Sequence, residues 1–248
     1  MTSMPPLVAV AHGSADPRSA ATVSELLDLV RSRAPGLDVR AAFLGHAAPS
    51  VPAVLGGLPG PAVVLPLLLT PAYHSKIDLP GQLRGYSRVL YGPTLGPHPL
   101  LIDAAERRLG TAPDPGTAVV LAAAGSSDPR ANAAIRGMAA TWQAARRQDG
   151  GGWHSVVPAY ACSPPTHPAL SHTVDEAVRS LRSAPGVRRV VVSTYLLAPG
   201  FFADRIRTSA QAAGADLVSP ALGALPEIAD LILERYTVTA GDICLRSA

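Results

Sequence analysis

The chain is written twice, and a duplication constrains the fold more tightly than any single motif, because both copies must build the same unit of structure. Val8 to Arg18 reads VAVAHGSADPR and Val120 to Arg130 reads VLAAAGSSDPR. Gly13, Asp16, Pro17 and Arg18 thus recur as Gly125, Asp128, Pro129 and Arg130 at an offset of 112. Val63 to Pro71 (VVLPLLLTP) returns as Val191 to Pro199 (VVSTYLLAP) at 128, and Gly92 to Pro99 (GPTLGPHP) as Ser219 to Pro226 (SPALGALP) at 127. The growth in offset predicts an insertion in the second copy between its first two blocks, with Arg147 to Gly152 (RQDGGG) as a loop that carries part of it.

Both copies share one grammar. A short apolar run (Leu7 to Ala11; Ala118 to Ala122) leads into a Gly-Ser turn and an amphipathic helix, which in the first copy has Leu26, Leu27 and Val30 on one face. Second strands are expected near Val39 to Leu44 and Val156 to Ala161, and almost fully apolar third strands at Val63 to Leu69 and Val190 to Leu197. Closing helices follow at Leu100 to Leu109 and Glu227 to Tyr236. Strands alternating with helices, the third apolar on both faces, predict an α/β protein of two similar domains, each a parallel sheet flanked by helices, facing each other across a cleft. The boundary falls in Thr111 to Gly116 (TAPDPG), giving lobes 1–112 and 113–248.

Composition narrows the function classes. A 48% hydrophobic chain of 248 residues can bury a real core, so global disorder is excluded. The 21 basic residues, all Arg except Lys76, exceed the acidic ones by only three and form no stripe, which argues against nucleic acid. The longest apolar stretches are shorter than a membrane span, which needs about 18 residues, and the N-terminus lacks a secretory pattern. Cys162 and Cys244 are too few for a disulfide framework, so a reducing, cytoplasmic setting is expected.

In open α/β sheets ligands bind beyond the carboxyl ends of the strands, which directs attention to His12 after strand one and His74 after strand three. Two converging imidazoles can bind a divalent metal or accept protons near pH 7; otherwise His12 bonds to turn backbone and His74 caps a helix. The repeat supplies an internal comparison. Ala124 and Phe202 stand where the second copy would carry the two histidines, while the scaffold residues around them are kept. One active and one supporting copy is the simpler account.

At these residues the chain resembles a known family. AHGS-x-D-P-R after a strand, Phe43 to Ser50 (FLGHAAPS), an apolar strand running into YHSKIDLP, and LG-x-HP together resemble the class II chelatases of the sirohydrochlorin type, in their long, internally duplicated form. The resemblance implies insertion of Fe2+ or Co2+ into sirohydrochlorin, for sirohaem or cobalamin respectively, without ATP. The divalent metal would be a substrate, no organic cofactor would be needed, and His12 and His74 would bind metal and accept protons. Family members commonly carry an acidic residue after the FL pair, whereas this chain has Gly45 and then His46. The acid's role is lost, moved to His46 as a third metal-binding residue, or taken by the other lobe; His46 is otherwise an ordinary loop histidine.

The implied chemistry suits these side chains. Metallation releases two pyrrole N–H protons while the metal exchanges water for ring nitrogens, so a weak base and a ligand that lets go are required; imidazole is both. Sirohydrochlorin carries eight carboxylates, which Arg pairs in bidentate fashion. Candidates near the strand ends are Arg18, Lys76, Arg84, Arg130, Arg205 and Arg207, with Ser14 as a hydrogen-bonding residue unless it merely caps the next helix. His98 is expected in a loop role and Cys162 as a buried apolar thiol. A non-catalytic tetrapyrrole or divalent-metal carrier is the alternative. A duplicated chain could supply alone what two half-length copies supply together, so a monomer is expected.

Overall fold

The computed structural model describes residues 4–71, 74–148, 151–162 and 172–246, with the side chains of residues 74, 148 and 242–246 left aside. The first repeat runs β1 (Leu7–Ala11), α1 (Pro17–Arg33), β2 (Val39–Phe43), α2 (Val51–Gly56), β3 (Ala62–Pro66), a π-helical turn (His74–Asp78), α3 (Leu79–Gln82), β4 (Val89–Tyr91) and α4 (Pro99–Leu109). The second runs β5 (Thr117–Ala123), α5 (Pro129–Gln148), β6 (Ser155–Tyr160), α6 (Val174–Arg182), β7 (Arg189–Thr194), α7 (Phe201–Ala212), β8 (Leu217–Val218) and α8 (Pro226–Arg246). All pairings are parallel, in the orders β2-β1-β3-β4 and β6-β5-β7-β8. The expected α/β class is what forms, and no helix among the described residues is long and apolar enough to cross a membrane.

Local rules explain the elements. Every residue of β1, β3 and β5 is buried, as helix-covered parallel strands require. Asp16 caps α1 by accepting from the Arg18 backbone N–H, Pro17 opens the helix, and Val23, Leu26, Leu27 and Val30 form its buried stripe. Thr173 and Glu176 form a capping box on α6, whose buried face is Val174, Ala177, Val178 and Leu181.

The strand registers give the repeat offsets in three dimensions. Ala11 lies opposite Phe43 and Ala123 opposite Tyr160, so the offset has grown from 112 to 117 by strand two. Leu7 pairs with Val63 and Val119 with Val191, at 128. The insertion is therefore split, a smaller part lying before β6, mostly as a longer α5 of 20 residues against 17 in α1, and a larger part after β6. The third strands stop at Pro66 and Thr194, short of the expected Leu69 and Leu197. Beyond them the backbone accepts from the LG blocks instead: the Leu95 N–H donates to the Leu68 carbonyl, and Leu222 to Leu196.

The compact units do not follow the repeats. One comprises residues 1–96 and 224–248, the other 97–223, in place of the expected lobes 1–112 and 113–248. The physical reason is an exchange of closing helices. In the 97–223 unit, Glu106 of α4 accepts from Trp142 Nε1 at 2.6 Å and Arg146 Nε at 2.7 Å, and Arg108 Nε donates to the Leu222 carbonyl. In the other unit, Arg235 of α8 donates to the Leu95 carbonyl at 3.5 Å, Tyr236 to Pro5 at 2.8 Å, and Asp230 pairs with Arg33 at 2.9 Å. Arg108 and Arg235, like Leu95 and Leu222, are repeat equivalents at 127, so each copy's last helix completes the other copy's sheet, as in domain swapping within one chain.

Candidate functional site

Parallel pairing of β1 with β3 sends the chain out at one end of the sheet, and the Leu67 N–H donating to the Val10 carbonyl at 2.7 Å extends that pairing to the last turn before the loops. His12 follows β1 directly and is exposed, with Nδ1 3.0 Å from the Gly13 carbonyl. Gly13 has φ of 87°, and a Cβ there would sit 1.8 Å from the Gly45 carbonyl oxygen. Glycine therefore serves twice, supplying a left-handed backbone and allowing the loop after β2 to lie against the loop after β1. That approach is fastened by N–H donation from Leu44 to Ala11 at 3.0 Å and from Gly45 to His12 at 3.2 Å.

The loop contact brings His46 to His12. Their rings stack at 6.5 Å between centroids, 19° from parallel. His46 is the one non-glycine residue among the described residues with positive φ, at 59°. Such a backbone is uncommon outside glycine, and it persists where surrounding contacts hold it. Two exposed imidazoles side by side offer nitrogen donors to a divalent ion. Among the described residues no three His, Cys, Asp or Glu cluster as a metal cage.

The segment that begins with His74 is a π-helical turn, a form concentrated at functional positions. The His74 side chain lies outside the described residues. Its turn is anchored from β4, where the Tyr91 hydroxyl donates to the Ser75 carbonyl at 2.6 Å, and Ser75 is buried. Burial pushes the Tyr91 phenol up to about 12, so it stays a donor throughout the neutral range. Gln82 Nε2 steadies Asp78 at 3.1 Å, while Lys76 and Ile77 are exposed.

The polar candidates divide by their partners. Ser14 Oγ accepts from the Asp16 N–H at 3.1 Å, a turn bond rather than the helix cap, which is Asp16. Arg18 is bidentate on Asp16, with bonds down to 2.6 Å, and that guanidinium holds the Asp16 carboxyl below its ordinary range. Arg207 pairs with Asp204 at 2.8 Å. Arg84, Arg130 and Arg205 are exposed and make no ion pair among the described residues. His98 caps α4, accepting from the Leu100 N–H at 3.3 Å.

The second copy repeats the scaffold without the imidazoles. Gly125 has the same φ of 87°, a Cβ there would lie 2.1 Å from the Cys162 carbonyl, and the Cys162 N–H donates to Ala124 as Gly45 does to His12. Cys162 is thus the counterpart of Gly45, and it is exposed rather than a buried apolar thiol because it stands on the loop beyond the strand end. Sequence reasoning also missed Asn132, which replaces Ala20 of the first copy. Buried among neighbours, its amide accepts from Ser126 N–H at 3.0 Å and donates to Ser126 carbonyl at 2.8 Å, while Tyr160 donates to its backbone. This clamp locks the Gly-Ser turn of the second copy.

Solved structures share this fold. The chain is similar to "SirB from Bacillus subtilis with Fe3+", at 24% identity and a TM-score of 0.75 over 95% of each chain. It is likewise similar to the sirohydrochlorin chelatase SirB from Bacillus subtilis subspecies spizizenii in complex with cobalt, at 22% and 0.74 over 96% of each. DR2241 from Deinococcus radiodurans, a multi-domain protein described as structurally similar to chelatases, matches at 19% and 0.71, over 94% of this chain and 55% of that one. No curated protein sequence matches the chain. The duplicated parallel-sheet architecture is thus the fold of these chelatase structures. The chain belongs to the CbiX family, whose model matches twice, over residues 6–112 and 118–239.

Proposed function

We propose that this protein is a sirohydrochlorin metal chelatase that inserts Fe2+ or Co2+ without ATP, acts as a monomer in the cytoplasm and does its chemistry in the first repeat. The observation that carries the reading is the paired exposed imidazoles of His12 and His46 at the strand ends of that repeat, absent from the equivalent loops of a copy that otherwise keeps the scaffold. The Fe3+ and the cobalt in the two SirB structures support iron or cobalt as the metal substrate.

His12 and His74 bind the incoming metal and accept the two pyrrole protons; His46 takes the place of the family's acidic residue as a third nitrogen ligand. A neutral donor leaves the bound ion more positive than a carboxylate would, and imidazole releases it readily to four ring nitrogens. Ser14, Arg18, Lys76, Arg84, Arg130, Arg205 and Arg207 remain the candidates for the substrate carboxylates. Arg84, Arg130 and Arg205 carry most of that work, since Arg18 and Arg207 already hold carboxylates of their own.

The test is anaerobic incubation of the purified protein with sirohydrochlorin and Fe2+ or Co2+, following the absorbance change of metallation. Catalytic acceleration by the wild type, lost in a His12→Ala, His74→Ala variant, is expected. Equal rates for the two would overturn the assignment, and tight binding without turnover would favour a carrier.

A further inference from the structure

The chain has three phenylalanines, and two of them stand in water. Phe201 and Phe202 open α7, with 69% and 40% of their surface exposed, and their rings meet edge to face at 5.4 Å. Phe201 contributes little to the core of its unit, for the buried stripe of α7 is Ile206 and Ala210, on the side of the helix away from it, while Phe202, four residues before Ile206, stands at the edge of that stripe with part of its ring still exposed.

Three features fit the pair to a ligand. First, it stands where β7 delivers the chain beyond the carboxyl end of its sheet, and Phe202 is the repeat equivalent of His74. The second copy has put a ring where the first has its histidine segment. Second, Arg205 is four residues from Phe201 and three from Phe202, so it shares their side of the helix; it is exposed and makes no ion pair among the described residues. Arg207 points elsewhere, onto Asp204. Third, an aromatic face beside an uncommitted guanidinium complements a flat conjugated ring that carries carboxylates at its rim.

We infer that Phe201, Phe202 and Arg205 form a docking surface on the 97–223 unit for the tetrapyrrole, with the phenylalanines against the macrocycle and Arg205 on a peripheral carboxylate. This rests on the chelatase reading and assigns substrate positioning, with no part in metal or proton transfer, to the copy that lost its histidines.

The experiment titrates metal-free sirohydrochlorin against the full-length protein by absorbance and by quenching of its fluorescence, alongside metallation kinetics and light scattering. A Phe201→Ser, Phe202→Ser variant is expected to weaken binding at least tenfold and raise KM in parallel, with kcat within about twofold of wild type. Arg205→Gln should weaken binding severalfold at low salt and less at high salt, where exposed charges are screened. Val238→Ser, which removes another exposed apolar side chain, should change neither. Unaltered affinity in the double serine variant, a loss confined to kcat, or a fall from dimer to monomer on substitution would each overturn the inference. Wild-type protein that neither binds nor metallates sirohydrochlorin would overturn the chelatase reading and this inference together, whereas wild-type turnover with normal binding by the variant overturns only the inference.

Discussion

Alanine in place of Gly13 would put a methyl carbon 1.8 Å from the Gly45 carbonyl oxygen. Carbon and oxygen normally approach no closer than about 3.3 Å, so one loop must retreat from the other by roughly 1.5 Å. Two costs combine. A side chain at φ of 87° costs about 1–2 kcal/mol, and forcing the loops apart adds about 1–3 kcal/mol. The unfolded chain offsets less than about 1 kcal/mol by losing entropy. Gly36 separates the terms, because it has φ of 93° with nothing within 4 Å of a Cβ, so Gly36→Ala incurs the backbone cost alone. At about 2–4 °C per kcal/mol for a chain of this length, Gly13→Ala should melt roughly 5–15 °C below wild type and Gly36→Ala only a few degrees below. Gly125→Ala, facing the Cys162 carbonyl at 2.1 Å, should melt with the first group. Activity should divide the same variants differently. Moving the His46 loop from His12 by more than 1 Å is expected to lower kcat about 100-fold in Gly13→Ala, against less than threefold in Gly36→Ala and Gly125→Ala assayed below their transitions. Thermal melts followed by circular dichroism and initial metallation rates measure both. If Gly13→Ala melts together with Gly36→Ala, or if Gly125→Ala is as inactive as Gly13→Ala, the close approach of the two loops does not govern the site.

Glu106→Ala takes two hydrogen bonds from Arg146, which keeps Asp103 at 3.3 Å, and removes the acceptor of the buried Trp142 indole N–H, so a loss of about 1–3 kcal/mol is expected from urea midpoints. His46→Ala should reduce metallation at least tenfold and weaken Co2+ binding to the tetrapyrrole-free protein, while His46→Glu restores part of both; indifference to His46→Ala would remove it from the site. Tyr91→Phe should lower kcat severalfold by loosening the His74 turn. Because burial raises the Tyr91 phenol to about 12, the stability it confers persists up to the unfolded value near 10 and is lost as pH climbs toward 12, a window that circular dichroism of the phenylalanine variant should show flattened. At the acid end, the Thr173 backbone N–H holds the Glu176 carboxyl below its ordinary range, so its contribution is full above about pH 4.3 and lost as pH falls through the lower folded value. Glu176→Gln should blunt that acid limb in a pH titration of unfolding.

Much of the architecture was legible because it is local. Apolar strands, the Asp-Pro helix start and the three repeat blocks are written in consecutive residues, and the observed registers reproduce the offsets of 128 and 127 read from those blocks. The exchange of α4 and α8 was not legible, since the contacts that decide it, Glu106 with Trp142 or Arg235 with Leu95, join residues far apart in a chain whose two copies offer nearly the same partners. The pairing of His12 with His46 depends on a glycine that admits a carbonyl and on a histidine in a left-handed backbone, neither of which leaves a periodicity. The GH dipeptide after the FL pair was the available signal. Cys162 was misjudged for a related reason: strand residues before it are buried, and only the turn beyond the sheet end exposes it. Asn132 escaped notice because its role appears only beside the alanine it replaces.

The exchanged closing helices also set an order of events during synthesis. The 97–223 unit is one continuous stretch and holds all its parts once residue 223 has left the ribosome. The sheet that carries His12 and His46, though translated first, must wait with one face of its core open until α8 arrives to cover it. A translation product truncated after residue 223 would therefore hold the 97–223 unit with all its parts and the first repeat only as an unclosed sheet.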